Sequence, residues 1–445
     1  MTVRRLTLQM TWSRATTILL VLVGFHSLQR GPLSAAQTPN VVLIISDDQA
    51  WTDFGFMGHK TIRTPHLDRL AKQSALFPHG YVPTSLCRPS LATLITGLYP
   101  HQHKITGNDP PKGTNRQLML KHIRRLPTLP KMLGRKGYLS HQSGKWWEGR
   151  YTLGGFTAGM THGDPKRRGR HGDLGLRIGR TGMKPIFDFI DSTGGKPFFL
   201  WYAPFLPHSP HNPPKRLLDK YRQAGRPLAL AKYYAMCEWF DETCGQLLDY
   251  LDRKKLSDNT LVVFVTDNGW IQRTPKTTVP AGWRFRFAPK SKRSPNEGGI
   301  RTPIMLRWPK TIKPGRYDTL VHSIDLAPTI LAAAGVAPTK QMPGINLIDV
   351  AKAGGKTTRR AIYGEIFAHD VADIDDPAKG LQYRWCIDGK WKLILAEGRS
   401  KLPELYDLQA DPHETNDLFA NNPNVVKRLT RQINTWWPGR SQREK

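Results

Sequence analysis

Residues 40–48 read NVVLIISDD, an apolar, largely β-branched run that ends in a serine and two carboxylates. A strand this apolar is buried on both faces, which is typical of a parallel sheet covered by helices. Similar runs occur at residues 197–201 (PFFLW), 261–266 (LVVFVT) and 303–308 (PIMLRW), and a helical pattern spans residues 232–251. This alternation predicts an α/β fold with a large, mostly parallel sheet sandwiched by helices.

The pattern changes near Ala334-Gly335. From residue 362 onward the predicted strands are short, and residues 386–392 (CIDGKWK) are typical of a hairpin with Asp-Gly at its turn. We therefore expect residues 37–335 to form the main domain and residues 336–445 a smaller C-terminal α+β domain with an antiparallel sheet. Residues 272–294, rich in Pro, Lys and Arg, are predicted to form a long surface loop.

The N-terminus has the layout of a secretory signal peptide. Arg4 and Arg5 precede an apolar run over residues 15–25, and Ser34-Ala35-Ala36 offers a cleavage site with small side chains. The apolar run is too short for a membrane span. We predict a signal peptide over residues 1–36, a secreted or periplasmic protein, and no stable membrane span once the signal is removed.

The chain is strongly basic. Its 445 residues include 66 Lys and Arg against 35 Asp and Glu, a formal net charge of +31. Such an excess attracts polyanions, among which nucleic acid and sulfated polysaccharide are both candidates. Export and the absence of a recognised nucleic-acid motif disfavour nucleic acid as a partner.

Four cysteines do not form a disulfide framework in a chain of this length. Cys237 and Cys244 are seven residues apart on the predicted helix, which separates them by about 10 Å along its axis. That distance is too long for a disulfide, so both are interpreted as small buried apolar side chains.

Acidic and amide side chains follow two of the predicted strands directly. Asp47-Asp48 ends the first, and Asp267-Asn268-Gly269 ends the run at residues 261–266. In open α/β sheets, ligands bind beyond the carboxyl ends of the strands. Each group alone fits ordinary turn chemistry. Together they form a set of hard oxygen ligands suited to Ca²⁺ or Mg²⁺ rather than zinc.

Residues 84–97 (TSLCRPSLATLITG) predict a short helix with Pro89 in its first turn and Thr84 or Ser85 as its N-cap. Cys87 would then lie at the helix N-terminus, where backbone N–H groups stabilise negative charge. A buried structural cysteine is the alternative interpretation.

The segment Cys87-Arg88-Pro89-Ser90, with its apolar helix and Thr96-Gly97, resembles the signature of the sulfatases, the arylsulfatase-like and formylglycine-dependent members of the alkaline phosphatase superfamily. The family's other landmarks follow in order along residues 40–420. They are the two acidic groups, Gly144-Lys145-Trp146, His208, Lys292 before residues 297–303 (EGGIRTP), and the closing segments at residues 405–408 and 411–414.

This resemblance implies that a formylglycine-generating enzyme converts Cys87 to formylglycine, and that the hydrated aldehyde attacks the sulfur of a sulfate ester with the help of one Ca²⁺. The substrate would be a sulfated polysaccharide or other glycan, or an aryl sulfate. The resemblance implies that the calcium ligands are Asp47, Asp48, Asp267 and Asn268. It implies that the catalytic residues are Cys87, Lys145, His208 and Lys292. The last three of these would also bind the substrate.

Two positions depart from the family pattern. Leu91 stands four residues after the cysteine, where the family usually has Arg, and Trp147 stands where it often has His two residues after the lysine. Arg88 is a candidate to replace the missing charge. Two other functions stay open: a phosphate monoester or diester hydrolase of the same superfamily, and an inactive homologue that binds acidic glycans.

Overall fold

The computed structural model describes residues 38–398 and 402–440, together with residues 1, 2, 7 and 9. Apart from those four residues, the predicted signal peptide lies outside the described residues. The chain divides into Met1–Gln37 and one compact unit over Thr38–Lys445, which is the unit considered below. Among the described residues no helix is both long and apolar enough to cross a membrane.

A nine-stranded sheet forms the centre of this unit, in the order β4-β3-β5-β1-β6-β7-β2-β8, with β9 also paired to β2. Its strands are β1 Asn40–Ser46, β2 Ala75–Tyr81, β3 Leu139–Gly144, β4 Ala158–Gly159, β5 Phe198–Ala203, β6 Thr260–Thr266, β7 Arg301–Arg307, β8 Gly315–Arg316 and β9 Val321–His322. The pairings β1–β5, β1–β6, β3–β4 and β3–β5 are parallel. The prediction of a mostly parallel sheet is confirmed.

Helices pack on both faces of the large sheet, and the last helix of the described residues packs on a second, smaller sheet. They are α1 Pro65–Lys72, α2 Cys87–Thr96, α3 Pro100–His103, α4 Lys121–Arg125, α5 Leu129–Gly134, α6 Lys184–Ser192, α7 Lys215–Tyr221, α8 Leu228–Arg253, α9 Glu297–Ile300, α10 Leu326–Ala333, α11 Leu347–Lys352, α12 Pro377–Gly380 and α13 Pro423–Trp436. Short 3₁₀ turns lie at Gly55–Met57, Arg116–Leu120, Tyr151–Gly154, Pro165–Arg167, Asp173–Arg177, Ser257–Asn259 and Ser323–Asp325.

Strand β1 shows how the two apolar layers arise. Val41, Leu43 and Ile45 join the core formed with α2, α5 and α10, whereas Val42 and Ile44 join the core formed with α1, α6 and α8. Successive side chains of a strand point to opposite faces, so a run that is apolar at every position requires a layer on each side.

A second, four-stranded antiparallel sheet lies in the C-terminal region. It is ordered β10-β11-β12-β13, with β10 Ala361–Phe367, β11 Leu381–Asp388, β12 Trp391–Ala396 and β13 Glu404–Asp407. The predicted hairpin is the β11–β12 connection, where Gly389 has a φ of 60°. One face packs on α13, and the other face packs on the end of β2 and on α9. The domain boundary between residues 335 and 336 stays a prediction.

The direction of one strand, the N-cap of α2 and the state of two cysteines differ in how well the sequence predicts them. Strand β7 runs antiparallel to both β6 and β2, a direction that its apolar composition does not reveal. The N-cap of α2 is Leu86, with no side-chain cap, so the prediction that Thr84 or Ser85 caps this helix is wrong. Cys237 and Cys244 are free and buried, as predicted.

Candidate active site

The carboxyl ends of β1 and β6 bring the two acidic groups together. These parallel strands pair along their whole length, with Ser46 opposite Thr266, so the residues that follow each strand leave the sheet side by side. The backbone N–H of Asp48 donates to Oδ1 of Asp267 at 3.1 Å, and the side-chain amide of Asn268 donates to Oδ1 of Asp48 at 2.7 Å. Asp48 has a φ of 62°, a left-handed conformation that Asp tolerates better than most residues.

Two buried lysines neutralise these acids. Lys145 Nζ lies 2.7 Å from Oδ1 of Asp47, and Lys292 Nζ lies 2.5 and 2.7 Å from the two carboxylate oxygens of Asp48. Burial raises the pKa of Asp47 well above its ordinary value. Burial acts on Asp48 in the same direction, but the ammonium group of Lys292 holds the pKa of that carboxyl below its usual range.

Cys87 is the first residue of α2, and its thiol faces Lys292. The Nζ atom of Lys292 lies 3.1 Å from Sγ of Cys87, and the thiol is buried. Burial raises the pKa of the Cys87 thiol to about 12, although Lys145 and Lys292 oppose this shift. The side chain is therefore a protonated thiol in a polar, cation-lined site.

The loop that carries Lys292 is attached to Ser85, two residues before the first residue of α2. The backbone N–H of Arg293 donates to both the carbonyl oxygen and Oγ of Ser85, each at 2.9 Å. Because Ser85 lies two residues before Cys87, this attachment sets the distance between the lysine and the thiol. The spacing of these residues along the sequence does not indicate this attachment.

His208 completes the group that the sequence predicts. Its Nε2 lies 3.3 Å from Oδ2 of Asp48, and its Nδ1 lies 2.6 Å from the carbonyl oxygen of Ser209. A carbonyl only accepts, so Nδ1 carries the proton and Nε2 presents its lone pair. Burial lowers the pKa of His208 well below its ordinary value, which keeps the ring neutral.

Arg180 is a positioning residue that sequence reasoning missed. Its guanidinium donates to the carbonyl oxygen of Phe205 at 2.9 and 2.6 Å and to that of His208 at 3.0 Å. The Phe205 ring in turn stacks on the His208 ring with centroids 4.2 Å apart. An arginine in the stretch RIGRTG carries no motif, so only the structure connects it to the site.

The oxygens at this sheet edge fit a divalent cation. Within the described residues, Asp47 Oδ2, Asp267 Oδ2 and Asn268 Oδ1 are buried without a hydrogen-bond partner. Buried polar atoms normally have partners, and hard oxygen ligands suit Ca²⁺ or Mg²⁺. Potential ligand atoms of Asp47, Asp48, Cys87 and His208 also lie within 4.8 Å of one another. The eight residues singled out by sequence thus lie together, in a geometry that suits one metal ion and an anion.

Arg88 does not replace the charge that Leu91 lacks. Its guanidinium pairs with Glu148 at 2.6 and 3.0 Å and donates to the carbonyl oxygens of Gly107 and Met119. Leu91 packs in the same apolar cluster as Cys87. The positive charge of Arg88 is therefore neutralised within a buried ion pair, and its side chain links α2 to the segments that carry Gly107, Met119 and Glu148.

We expect Glu148→Ala to lower the free energy of unfolding by about 3–5 kcal/mol, because it leaves the Arg88 guanidinium buried without a counter-charge. The side chains of this pair are only 2% and 4% exposed. Glu242→Ala is the matched control: it breaks the exposed pair with Arg216 and should change stability by about 0–1 kcal/mol. Denaturant unfolding measures both. Equal effects would contradict the assignment of Arg88 as a buried structural residue.

Trp147 brings further cations near the lysines. Its ring centroid lies 5.8 Å from Nζ of Lys145, and the guanidinium carbons of Arg116 and Arg170 lie 5.4 and 5.0 Å from the ring. His171 packs against it edge-on at 4.6 Å. The position where the family often has histidine is thus occupied by an aromatic ring that contacts Lys145 and two arginines, and both arginines are paired with Asp109.

Comparison with known proteins identifies the family of this chain. The sequence model of the family described as Sulfatase matches residues 39–336, and the one described as N-sulphoglucosamine sulphohydrolase, C-terminal, matches residues 287–437. N-acetylgalactosamine-6-sulfatase of Canis lupus familiaris is 29% identical over 466 residues, covering 90% of this chain and 86% of that protein. Human arylsulfatase A is 27% identical over 383 residues, covering 74% and 71%.

Solved structures share the fold. The crystal structure of Ps i-CgsB is 24% identical, covers 91% of this chain and 94% of its own, and superposes with a TM-score of 0.72. The Sulfatase match spans more than half of the chain and includes every residue of the site described above. The chain therefore belongs to the sulfatase family and is a sulfuric ester hydrolase.

Proposed function

We propose that this enzyme hydrolyses the sulfate esters of a sulfated glycan, with an aldehyde derived from Cys87 as its nucleophile and one Ca²⁺ as its cofactor. The observation that carries the proposal is the position of Cys87: its Sγ lies 3.1 Å from Nζ of Lys292, which also binds Asp48. The reacting side chain, a cation for sulfate and the metal-binding acids therefore form one site.

The charges of the site favour a sulfate monoester. With a cation bound, which favours the ionised form of each carboxyl, Asp47, Asp48 and Asp267 would contribute three negative charges, beside the two positive charges of Lys145 and Lys292. A divalent cation would bring the sum to +1, which complements the single negative charge of a sulfate monoester. A phosphate monoester carries up to two negative charges near neutral pH, so this balance argues against the phosphate hydrolase alternative.

The roles of the residues follow from their positions. Lys145 and Lys292 would bind the sulfate oxygens and stabilise the charge that builds up there during attack. His208 Nε2, which presents its lone pair, would first take up a proton released in the site and then pass it to the leaving alcohol oxygen, while Nδ1–H stays bound to the Ser209 carbonyl oxygen. Asp47, Asp48, Asp267 and Asn268 would hold the cation, which when bound supplies positive charge to the reacting oxygens. The hydrated aldehyde supplies one hydroxyl for attack and a second for the release of sulfate.

The surroundings of Cys87 suit an oxygen better than a sulfur. A thiol sulfur is a weak hydrogen-bond acceptor, whereas an oxygen on the same carbon would accept a strong, charge-assisted bond from Lys292. We propose that a formylglycine-generating enzyme makes this change during export of the chain to the periplasm or the exterior, with Leu91 tolerated four residues further on.

The mass of the Cys87 peptide tests this proposal. In protein secreted by its natural host, we expect the peptide to have lost two hydrogens and the sulfur of the thiol and to have gained one oxygen. The peptide that contains Cys386, which is also buried, should keep its thiol and serves as the internal control. An unmodified thiol at Cys87 in all of the protein would contradict the proposed nucleophile and would favour the inactive glycan-binding homologue.

A further inference from the structure

Two cavities with basic walls both border residues 205–212, here called the dividing segment, and each is lined by different residues of that segment. The first has a volume of about 670 Å³ and includes His211 of that segment. The second has a volume of about 630 Å³ and includes Phe205, Pro210 and Asn212. Both volumes lie in the range of ligand-binding cavities.

The first cavity is lined by cations and has no acidic side chain in its wall. Its basic residues are Lys232, Arg273, Arg284 and Arg286, and the exposed ring of Phe285 lies beside them. Within the described residues none of these four makes an ion pair. Like charges collected around one cavity repel one another, and a bound anion relieves that repulsion.

The second cavity has the same character. It is lined by Lys166, Arg167, Arg168 and Arg177, together with Arg180. Its one acid, Asp173, accepts hydrogen bonds from the backbone N–H groups of residues 162–164 and does not pair with these cations. Arg168 and Arg177 also lack an ion-pair partner in the part of the chain that the structure describes.

Each cavity approaches one of the two lysines of the active site. On the side of the first cavity, the His211 ring lies 5.9 Å from the Trp270 ring, and Nζ of Lys292 lies 5.9 Å from that same ring. On the side of the second, Nζ of Lys145 lies 5.5 Å from the Phe205 ring. Each lysine of the proposed sulfate-binding pair is therefore close to one cavity: Lys145 through Phe205, and Lys292 through Trp270 and His211.

We propose that the enzyme binds an extended sulfated polysaccharide across the dividing segment, with sulfates in both cavities at once, and removes sulfate from internal sugars as well as chain ends. This inference rests on the proposed function, which places the reacting sulfate between Lys145 and Lys292. An enzyme that acts only on chain ends meets sulfated sugars on one side of the reacting sulfate, so it needs basic residues on that side alone. An enzyme that acts on an internal sugar meets sulfated neighbours on both sides and needs basic residues on both.

Dextran sulfate serves as the extended probe and sucrose octasulfate as the compact one. We compare Arg284→Gln/Arg286→Gln in the first cavity with Arg168→Gln/Arg177→Gln in the second, using fluorescence anisotropy of labelled dextran sulfate. Each pair should weaken binding by roughly five- to twentyfold and lower the salt dependence of the affinity. The affinity for sucrose octasulfate, measured by competition, should fall mainly in one of the two double variants, because a compact anion fits one cavity.

The control removes two charges of the same kind elsewhere. Lys427→Gln/Arg431→Gln alters two exposed basic residues on α13 and should leave the affinity for dextran sulfate within about twofold of the wild type. Turnover of 4-nitrophenyl sulfate should be unchanged in all three variants, since none of the altered residues contacts the site of reaction.

Three results would overturn the inference: binding that depends on only one cavity, an equal loss in the control variant, or single-stranded DNA of matched charge bound as tightly as dextran sulfate. Failure of the proposed function has a different signature. In that case 4-nitrophenyl sulfate would not be hydrolysed, while the binding of dextran sulfate would still depend on both cavities.

Discussion

Turnover of 4-nitrophenyl sulfate should fall by about four orders of magnitude or more in Cys87→Ala, the largest effect that we expect from any single substitution. Alanine leaves a methyl group where the aldehyde would form, so no oxygen remains to attack sulfur. The fold should persist, because the change removes one buried sulfur atom and costs about 1 kcal/mol of unfolding free energy. Steady-state kinetics and denaturant unfolding of the purified variant measure these two effects separately.

Cys244→Ala is the matched control for this experiment. Cys244 is equally buried but lies on α8, on the opposite face of the large sheet. Its replacement should cost a similar unfolding free energy and leave turnover nearly unchanged. Substantial turnover in purified Cys87→Ala would refute the assignment of Cys87 as the nucleophile.

Asp267→Asn should abolish the response of the enzyme to calcium. In the wild-type enzyme we expect chelation to reduce turnover by at least about a hundredfold, and Ca²⁺ to restore it and raise the Tm by a few degrees. The asparagine would keep Oδ1, which accepts from the backbone N–H groups of Asp48 and Asn268. It would replace the partnerless Oδ2 with an amide that cannot bind a cation.

Thermal unfolding with and without Ca²⁺ provides a readout that does not depend on catalysis. Asp109→Asn is a suitable control, because Asp109 belongs to a second, more exposed group with His369 and Asp370. That variant should still gain stability with Ca²⁺. An unchanged Ca²⁺ response in Asp267→Asn would show that the ion binds elsewhere and would remove these ligands from the proposed mechanism.

Much of the architecture could be predicted because local patterns determine it. An apolar run such as residues 40–46 can only be satisfied by burial on both faces, and the structure places a core layer on each side of β1. Asp388-Gly389 forms the tight turn of a hairpin because glycine tolerates a positive φ. The acids after β1 and β6 meet because parallel neighbours end at the same edge of the sheet.

The remaining features depend on contacts between distant parts of the chain. Local patterns do not predict the direction of β7 or the pairing of Arg88 with Glu148, because each depends on which segments become neighbours in space. The prediction of Thr84 or Ser85 as N-cap was wrong for a similar reason. Ser85 instead accepts hydrogen bonds from Arg293, which is 208 residues away in the sequence.

The fold class, the strand ends that carry the acids and the residues that match the sulfatase landmarks could all be predicted from the amino-acid sequence. Each of these follows from side-chain type and short-range spacing. Folding of the chain in three dimensions was needed to show that Lys292 contacts both Cys87 and Asp48, that Arg180 supports His208, and that two basic cavities border residues 205–212. Lys292 lies 244 residues from Asp48 and 205 from Cys87, and even Arg180 and His208 are 28 residues apart, so packing of the chain and not local spacing sets these distances.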